Sequence, residues 1–348
     1  MRFSQIPGNE VLKASLVQMV KSNRLSHAII FGEAGNYGAF AMALALAQYV
    51  NCRDASDNDS CGLCPSCHKY EKLIHPDLHF VFPIGKSVKL SKTESEKPVS
   101  DYLLPFFVEL ASKKPYFTEN ELYDAIGLEN KNTNISVNDA RRLIEKLSLT
   151  VSEGKYKVVI IYLPEKMNRE AANALLKLIE EPTPGTLILM VSHTPEKLLT
   201  TIRSRCQLLT LKPLTREQKV KAGIESGDYS EYIQSLSAII EAGLAKRPID
   251  LFPEWEDLAS LSREKAKDFC NFSENFIRKI HLVSLKLDGI ADLSESDESL
   301  VRDFAGRIKP AFYEKAFKYF ENAMTMIDSN VNSKLIFCDL CNRLLLSL

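Results

Sequence analysis

Up to about residue 212, short apolar runs bounded by turn residues alternate with segments of helical period. HAIIF (27–31), DLHFVF (77–82), KVVIIYL (157–163) and LILMVS (187–192) are runs of this kind. They carry apolar side chains at consecutive positions, which predicts strands buried on both faces of a parallel sheet. Between the last two lies NREAANALLKLIEEP, where Ala172, Leu175, Leu176 and Ile179 recur at helical spacing. Asn168 can cap the start of that helix and Pro182 stops it. Strand, helix, strand in this order is a crossover unit, so residues 1–212 are expected to form a doubly wound α/β domain.

Residues 84–135 interrupt the alternation. The stretch GKSVKLSKTESEKPVSD is polar, DYLLPFFVELASKKPYF is aromatic and partly helical, and together they predict an insertion on the α/β domain. Beyond Pro213 strand-like runs disappear, and 213–254 is expected to be a small helical domain. From Trp255 to Leu348 the spacing of Phe269, Phe272, Phe276 and Ile280, then of Tyr313, Phe317 and Phe320, predicts a second, all-helical domain.

Composition narrows the function classes. Hydrophobic residues make up 45% and charged residues 26%, ordinary values for a soluble globular protein. The formal net charge of -1 gives no overall field toward nucleic acid or anionic membrane, so any DNA contact needs a local patch. The pairs Arg141-Arg142 and Lys113-Lys114 are candidates by charge alone, and each also fits a solvated helix face. MRFSQIPGNE lacks the apolar core of a signal peptide, and AMALALAQYV is roughly half the ~20 residues of a membrane span. A cytoplasmic protein is expected, in which eight cysteines point to metal rather than disulfides.

Four of those cysteines, Cys52, Cys61, Cys64 and Cys67, fall in NCRDASDNDSCGLCPSCHKY. Two residues separate Cys61 from Cys64 and two more separate Cys64 from Cys67, the spacing of a metal knuckle onto which Cys52 can fold back. Four thiolates around tetrahedral Zn²⁺ leave no open position, so the expected role is structural. His68 and His75 are alternatives for the fourth ligand. Cys338 and Cys341 lie on an apolar helical stripe and are expected to pack in a core.

The stretch FGEAGNYGAF, residues 31–40, has the outline of a phosphate loop between a strand and a helix. Such a loop needs G-x-x-x-x-G-K-[ST], with Lys on the phosphates and the hydroxyl on Mg²⁺. Gly38 fits the second glycine, but Glu33 stands at the first, Ala39 at the Lys and Phe40 at the hydroxyl. An acidic pair should close the strand KVVIIYL, where Tyr162 and Leu163 stand instead, and Glu165 follows only after Pro164. Joint loss in both motifs predicts a structural turn without hydrolysis.

LSHAIIFGEAG, the run Cys52 to Cys67, AANALLKLIEEPTPGTLILMVS, TIRSRCQLLTLKPL and NVNSKLIFCDLCNRLL together resemble the bacterial clamp-loader branch of the AAA+ superfamily. The resemblance spans nearly the whole chain except 84–135. It implies a RecA-like AAA+ domain (1–212) with a zinc module near 50–70, a helical lid (213–254) and a C-terminal collar (255–348). It also implies partners: gamma/tau and delta subunits, the beta sliding clamp, and primer-template DNA. Arg205, within Ser204-Arg205-Cys206, matches the family's arginine finger, which acts in trans on a neighbour's ATP. Arg203 is expected to be structural and Cys206 to pack. Two alternatives stay open, an ATP-binding gamma/tau-like motor subunit and a zinc-containing AAA+-like interaction protein.

Overall fold

The computed structural model describes every residue except 34–37, 129–132, 225–228, 262, 292, 294 and 330. Two compact units divide the chain, Met1–Ile224 and Glu225–Leu348.

The first unit is built on strands β1 (Ala28–Gly32), β2 (Leu78–Val81), β3 (Lys157–Tyr162), β4 (Thr186–Ser192) and β5 (Gln207–Thr210). They form one sheet in the order β2-β3-β4-β1-β5, with every neighbouring pair parallel. Its first helices are α1 (Glu10–Lys21), α2 (Ala39–Val50), α3 (Pro65–Glu71) and α4 (Lys92–Glu96). Then come α5 (Leu104–Lys113), α6 (Glu119–Ala125) and α7 (Val137–Ser148). Last are α8 (Arg169–Glu180), α9 (Thr200–Arg203) and α10 (Arg216–Lys221).

Strands β1, β3 and β4 are buried at every position, as their unbroken apolar runs require. Successive residues serve opposite faces. Ile29, Phe31, Val158, Ile160, Leu187 and Leu189 enter a core with α2. Ala28, Ile30, Val159, Ile161, Ile188 and Met190 enter a second core with α7 and α8. The sheet is thus covered on both sides. Asn168 Oδ1 accepts from the Ala171 N–H at 2.8 Å, capping α8, whose buried face is Ala171, Ala172, Leu175, Leu178 and Ile179. Leu176, expected on that face, is only partly buried. Strand β5 was not anticipated. It alternates partly buried and exposed positions at the sheet edge, and its four residues give too weak a run to stand out.

The segment 84–135, expected as an insertion with a polar first part and an aromatic, partly helical second part, contributes to the core of the domain. It supplies Leu103, Phe107, Ala111, Tyr116, Phe117, Leu122, Tyr123 and Ile126 to the core on the α2 face. Phe107 stacks on Phe82 with ring centroids 4.4 Å apart and meets Phe40 edge-on at 5.8 Å. The aromatic second part thus packs as core against the sheet.

The second unit comprises α11 (Ser230–Leu244), α12 (Phe252–Ser260), α13 (Arg263–Ser284), α14 (Glu295–Arg307), α15 (Pro310–Asp328) and α16 (Ser333–Ser347). Phe269, Phe276, Ile280, Tyr313 and Phe320 are buried in one helical core, with Phe272 and Phe317 packed on it. Leu236, Ile239 and Ile240 of α11 belong to this core, while Leu214 belongs to the first unit. The stretch 213–254 is therefore divided between the two units.

Candidate functional site

In open parallel sheets a ligand crevice forms at the carboxyl ends of strands where the strand order reverses. Here that point lies between β1 and β4. β1 runs into Glu33, and β4 runs into His193. Glu33 is 3% exposed, and its N–H donates to the Ser192 carbonyl at 3.0 Å. One carboxylate oxygen accepts from the Ala39 N–H at 3.0 Å, in the first turn of α2. The other stands 3.3 Å from His193 Nε2. The first N–H groups of a helix have no partner within the helix and attract negative charge. Glu33 supplies that charge from within the chain, at the place where a phosphate loop would offer a bound phosphate.

Aromatic side chains fill the adjoining space. Phe40 packs against Phe117 at 5.0 Å and Tyr162 at 5.9 Å. Gly38 has φ 97°, and a side chain there would meet the Tyr116 ring at 2.8 Å, so both conformation and space demand glycine. Leu163 is fully buried with φ 54°, an unusual conformation for a branched residue, and its N–H donates to Val191 O at 2.8 Å. Glu165 is engaged by four donors: Ser192 Oγ at 2.8 Å, His193 N at 2.9 Å, Thr194 N at 3.2 Å and Thr194 Oγ1 at 3.4 Å. The middle of the loop, 34–37 with Gly35, lies outside the described residues. Glu33 had looked like a missing glycine and His193 had carried no signal. Only the pairing of β1 with β4 brings them together.

Burial alone would lower the His193 pKa, but the hydrogen bond to Glu33 and the nearby carboxylates of Glu33, Glu165 and Glu119 hold it above the usual value. Burial raises the Tyr162 phenol well above its usual range, and the same three carboxylates push it further.

Cys52, Cys61, Cys64 and Cys67 converge, with their sulfur atoms all within 4.8 Å of one another. Thiolates on a tetrahedral ion with metal–sulfur bonds of about 2.3 Å stand roughly 3.8 Å apart. Cys52–Cys61 is 3.5 Å, Cys52–Cys67 3.6 Å and Cys61–Cys67 3.9 Å, so the set fits and can hold a metal ion. The Cys64 thiol is brought down to about 6: burial raises it, but backbone N–H groups of Arg53 and Cys67 outweigh that. His68 is exposed at the surface. His75 is buried against Tyr70 at 4.5 Å, its Nδ1 accepting from Asp77 N at 3.2 Å. Neither histidine joins the sulfur cluster.

The knuckle holds its surroundings together. Asp59 accepts the N–H groups of Phe3 at 3.0 Å and Ser4 at 2.9 Å. Asn51 Oδ1 accepts from Lys155 N at 2.8 Å and Tyr156 N at 2.9 Å, while its amide donates to Tyr70 Oη at 2.6 Å. These contacts tie the N-terminal turn, α3 and the entrance to β3 to one small loop.

Arg205 follows α9 at the surface. Its Nε donates to Glu180 Oε1 at 2.5 Å and its Nη1 to Thr201 O at 3.0 Å and Ser204 Oγ at 3.3 Å. Cys206 packs at the edge of the α8 core, and burial raises its thiol to about 11. Arg203 is exposed. Of the basic pairs, Lys113 pairs with Glu109 at 2.7 Å and Lys114 with Glu121 at 2.5 Å. Arg142 lies 3.7 Å from Asp101 and over the Tyr102 ring, and Arg141 is exposed. Cys341 is buried in the second core, where burial raises its thiol to about 12, and Cys338 is partly buried on the same helix.

The parallel sheet with its reversal of strand order at β1 and β4, and the cysteine cluster after α2, define a doubly wound α/β protein. The chain belongs to the family described as DNA polymerase III, delta subunit, whose model matches residues 8–102 and 109–215, more than half of the chain. It is 27% identical over 231 residues to DNA polymerase III subunit delta' of Bacillus subtilis, covering 66% of this chain and 55% of that protein. It is 32% identical over 186 residues to subunit delta' of Pseudomonas aeruginosa, covering 53% and 43%. Against subunit tau of Escherichia coli it is 26% identical over 216 residues, 62% of this chain and 26% of that one. The chain spans about half the length of the delta' relatives it matches. Among the described residues no helix is long and apolar enough to cross a membrane.

Purified chain should carry one tightly held metal ion. Cys64→Ser should lower that content, and metal removal should reduce the unfolding midpoint by about 5 °C or more. An unchanged midpoint in metal-free chain would contradict a structural ion. The Glu33–His193 contact should also give pH dependence. A raised folded-state pKa contributes stability that is complete below the unfolded value of about 6.5 and is lost as pH rises through the folded value. Unfolding free energy of the wild type minus that of His193→Gln should therefore decline above about pH 6.5. A difference that is flat with pH would show that the pair does not couple.

Proposed function

We propose that this chain is a delta-prime-type subunit of the replicative clamp loader: an AAA+ member that neither binds nor hydrolyses ATP productively, and that acts on its neighbour's site. The observation that carries this reading is the Glu33 carboxylate at the start of α2, with Phe40, Phe117 and Tyr162 packed beside it. A nucleotide entering this crevice would lack the Lys and hydroxyl contacts and would face a buried carboxylate. The motor-subunit alternative needs those groups. A bare interaction protein would leave the family membership without a purpose.

In this reading Arg205, with Ser204 and Cys206 as motif neighbours, supplies an arginine finger. A planar guanidinium matches phosphate oxygens and stabilises charge developing on a γ-phosphoryl group held by an adjacent gamma/tau subunit. The surface position of Arg205 supports this, since a finger must reach outside its own chain. The four-cysteine site takes Zn²⁺ as a structural ion, with no open position for chemistry. Residues 213–254 serve as lid, and the helical unit that follows as the collar that joins gamma/tau and delta subunits. Within that ring the chain helps load the beta clamp onto primer-template DNA, as a cytoplasmic, non-catalytic part of the polymerase III holoenzyme.

The test is reconstitution with gamma/tau, delta, beta clamp and primed DNA. Arg205→Ala should leave assembly and unfolding unchanged while lowering ATP-driven loading by about tenfold or more. Loading at the wild-type rate would exclude the finger.

A further inference from the structure

The surroundings of Arg205 point to a second residue in the same function. One edge of its guanidinium is spent inside the chain, Nε on Glu180 Oε1 and Nη1 on Thr201 O and Ser204 Oγ. Nη2 makes no hydrogen bond among the described residues. The Arg205 and Glu180 side chains are 38% and 45% exposed, so the pair stands at the surface.

Both supports rest on rigid structure. Glu180 is the last residue of α8, whose buried face is locked into the core under the sheet. The carbonyl of the preceding Ile179 lies 2.7 Å from His27 Nε2, which fixes that helix end against the start of β1. On the other side Cys206 packs against the same core, so the backbone at Arg205 has little freedom. An arginine side chain loses much rotamer freedom when it is held in one geometry. A carboxylate on Nε restricts the fork before any phosphate arrives, and leaves Nη2 for a ligand.

We propose that Glu180 is a positioning residue that presents Arg205 to a phosphoryl group on the neighbouring subunit. The inference rests on the arginine-finger reading above. A surface pair is worth little in folding, so its effect belongs in turnover, through the fraction of Arg205 held in the presenting geometry.

The experiment is a double-mutant cycle on the reconstituted complex, reading steady-state ATP turnover in the presence of clamp and primed DNA. Glu180→Ala should lower kcat by about two- to fivefold with KM for ATP unchanged. Glu180→Gln, which keeps an acceptor oxygen without the charge, should lie between. In the Arg205→Ala background, Glu180→Ala should cause no further loss. Equal losses in both backgrounds would overturn the proposal, because Glu180 would then act independently of Arg205. If Arg205→Ala is impaired and Glu180→Ala is not, the positioning role alone fails. If Arg205→Ala turns over as the wild type does, the finger reading fails and the proposal with it. Matching unfolding midpoints across the variants confirm that each is folded.

Discussion

The amino end of α2 must be met by negative charge, and here the Glu33 carboxylate meets it. Its two oxygens join the Ala39 N–H to His193, and so join the first turn of α2 to the end of β4. A buried carboxylate is tolerated only where hydrogen bonds and opposite charge compensate its lost hydration. Helix start and histidine do that together. Beside this arrangement the neighbouring aromatic side chains pack as core. Phe40 and Tyr162, which occupy positions of the hydroxyl and acidic groups in a hydrolysing site, touch each other and share Phe117. Loss of the two motifs is thus one packing solution.

The same economy extends to residues 84–135. Phe107, Tyr116 and Phe117 cover the α2 face of the sheet, so the segment is part of the domain core. The cysteine knuckle works on the opposite end of α2. Through Asp59 and Asn51 it anchors the N-terminal turn and the entrance to β3 by hydrogen bonds to their backbone N–H groups. A metal ion there would stabilise distant pieces by holding one loop in a single conformation.

Much of this was legible in the residues. Unbroken apolar runs located β1, β3 and β4, because central parallel strands are buried on both faces, and the mostly apolar run LHFV located β2 at the edge. Asn168 and the spacing after it located α8. The cysteine spacing pointed to a cluster because ligand geometry restricts the intervening loop lengths. What escaped notice depends on tertiary contact. β5 is an edge strand whose half-exposed residues leave no continuous run. The role of Glu33 arises from pairing between strands far apart in sequence, and so does its meeting with His193. The aromatic character around Phe107 was plain in the residues, but its packing on Phe82 and Phe40 is a tertiary contact. Glu180 lies on the polar side of an amphipathic helix, and its contact with Arg205 joins residues of two separate elements.

The buried Glu33 carboxylate at the start of α2 and the exposed Arg205 are the two features on which the proposed function rests. The central claim is that this crevice is closed to nucleotide. Equilibrium titration of the isolated chain with Mg-ATP tests it most directly. The account predicts no saturable binding below about 1 mM, weaker than roughly -4 kcal/mol, and no turnover. Saturable micromolar binding accompanied by hydrolysis would contradict it.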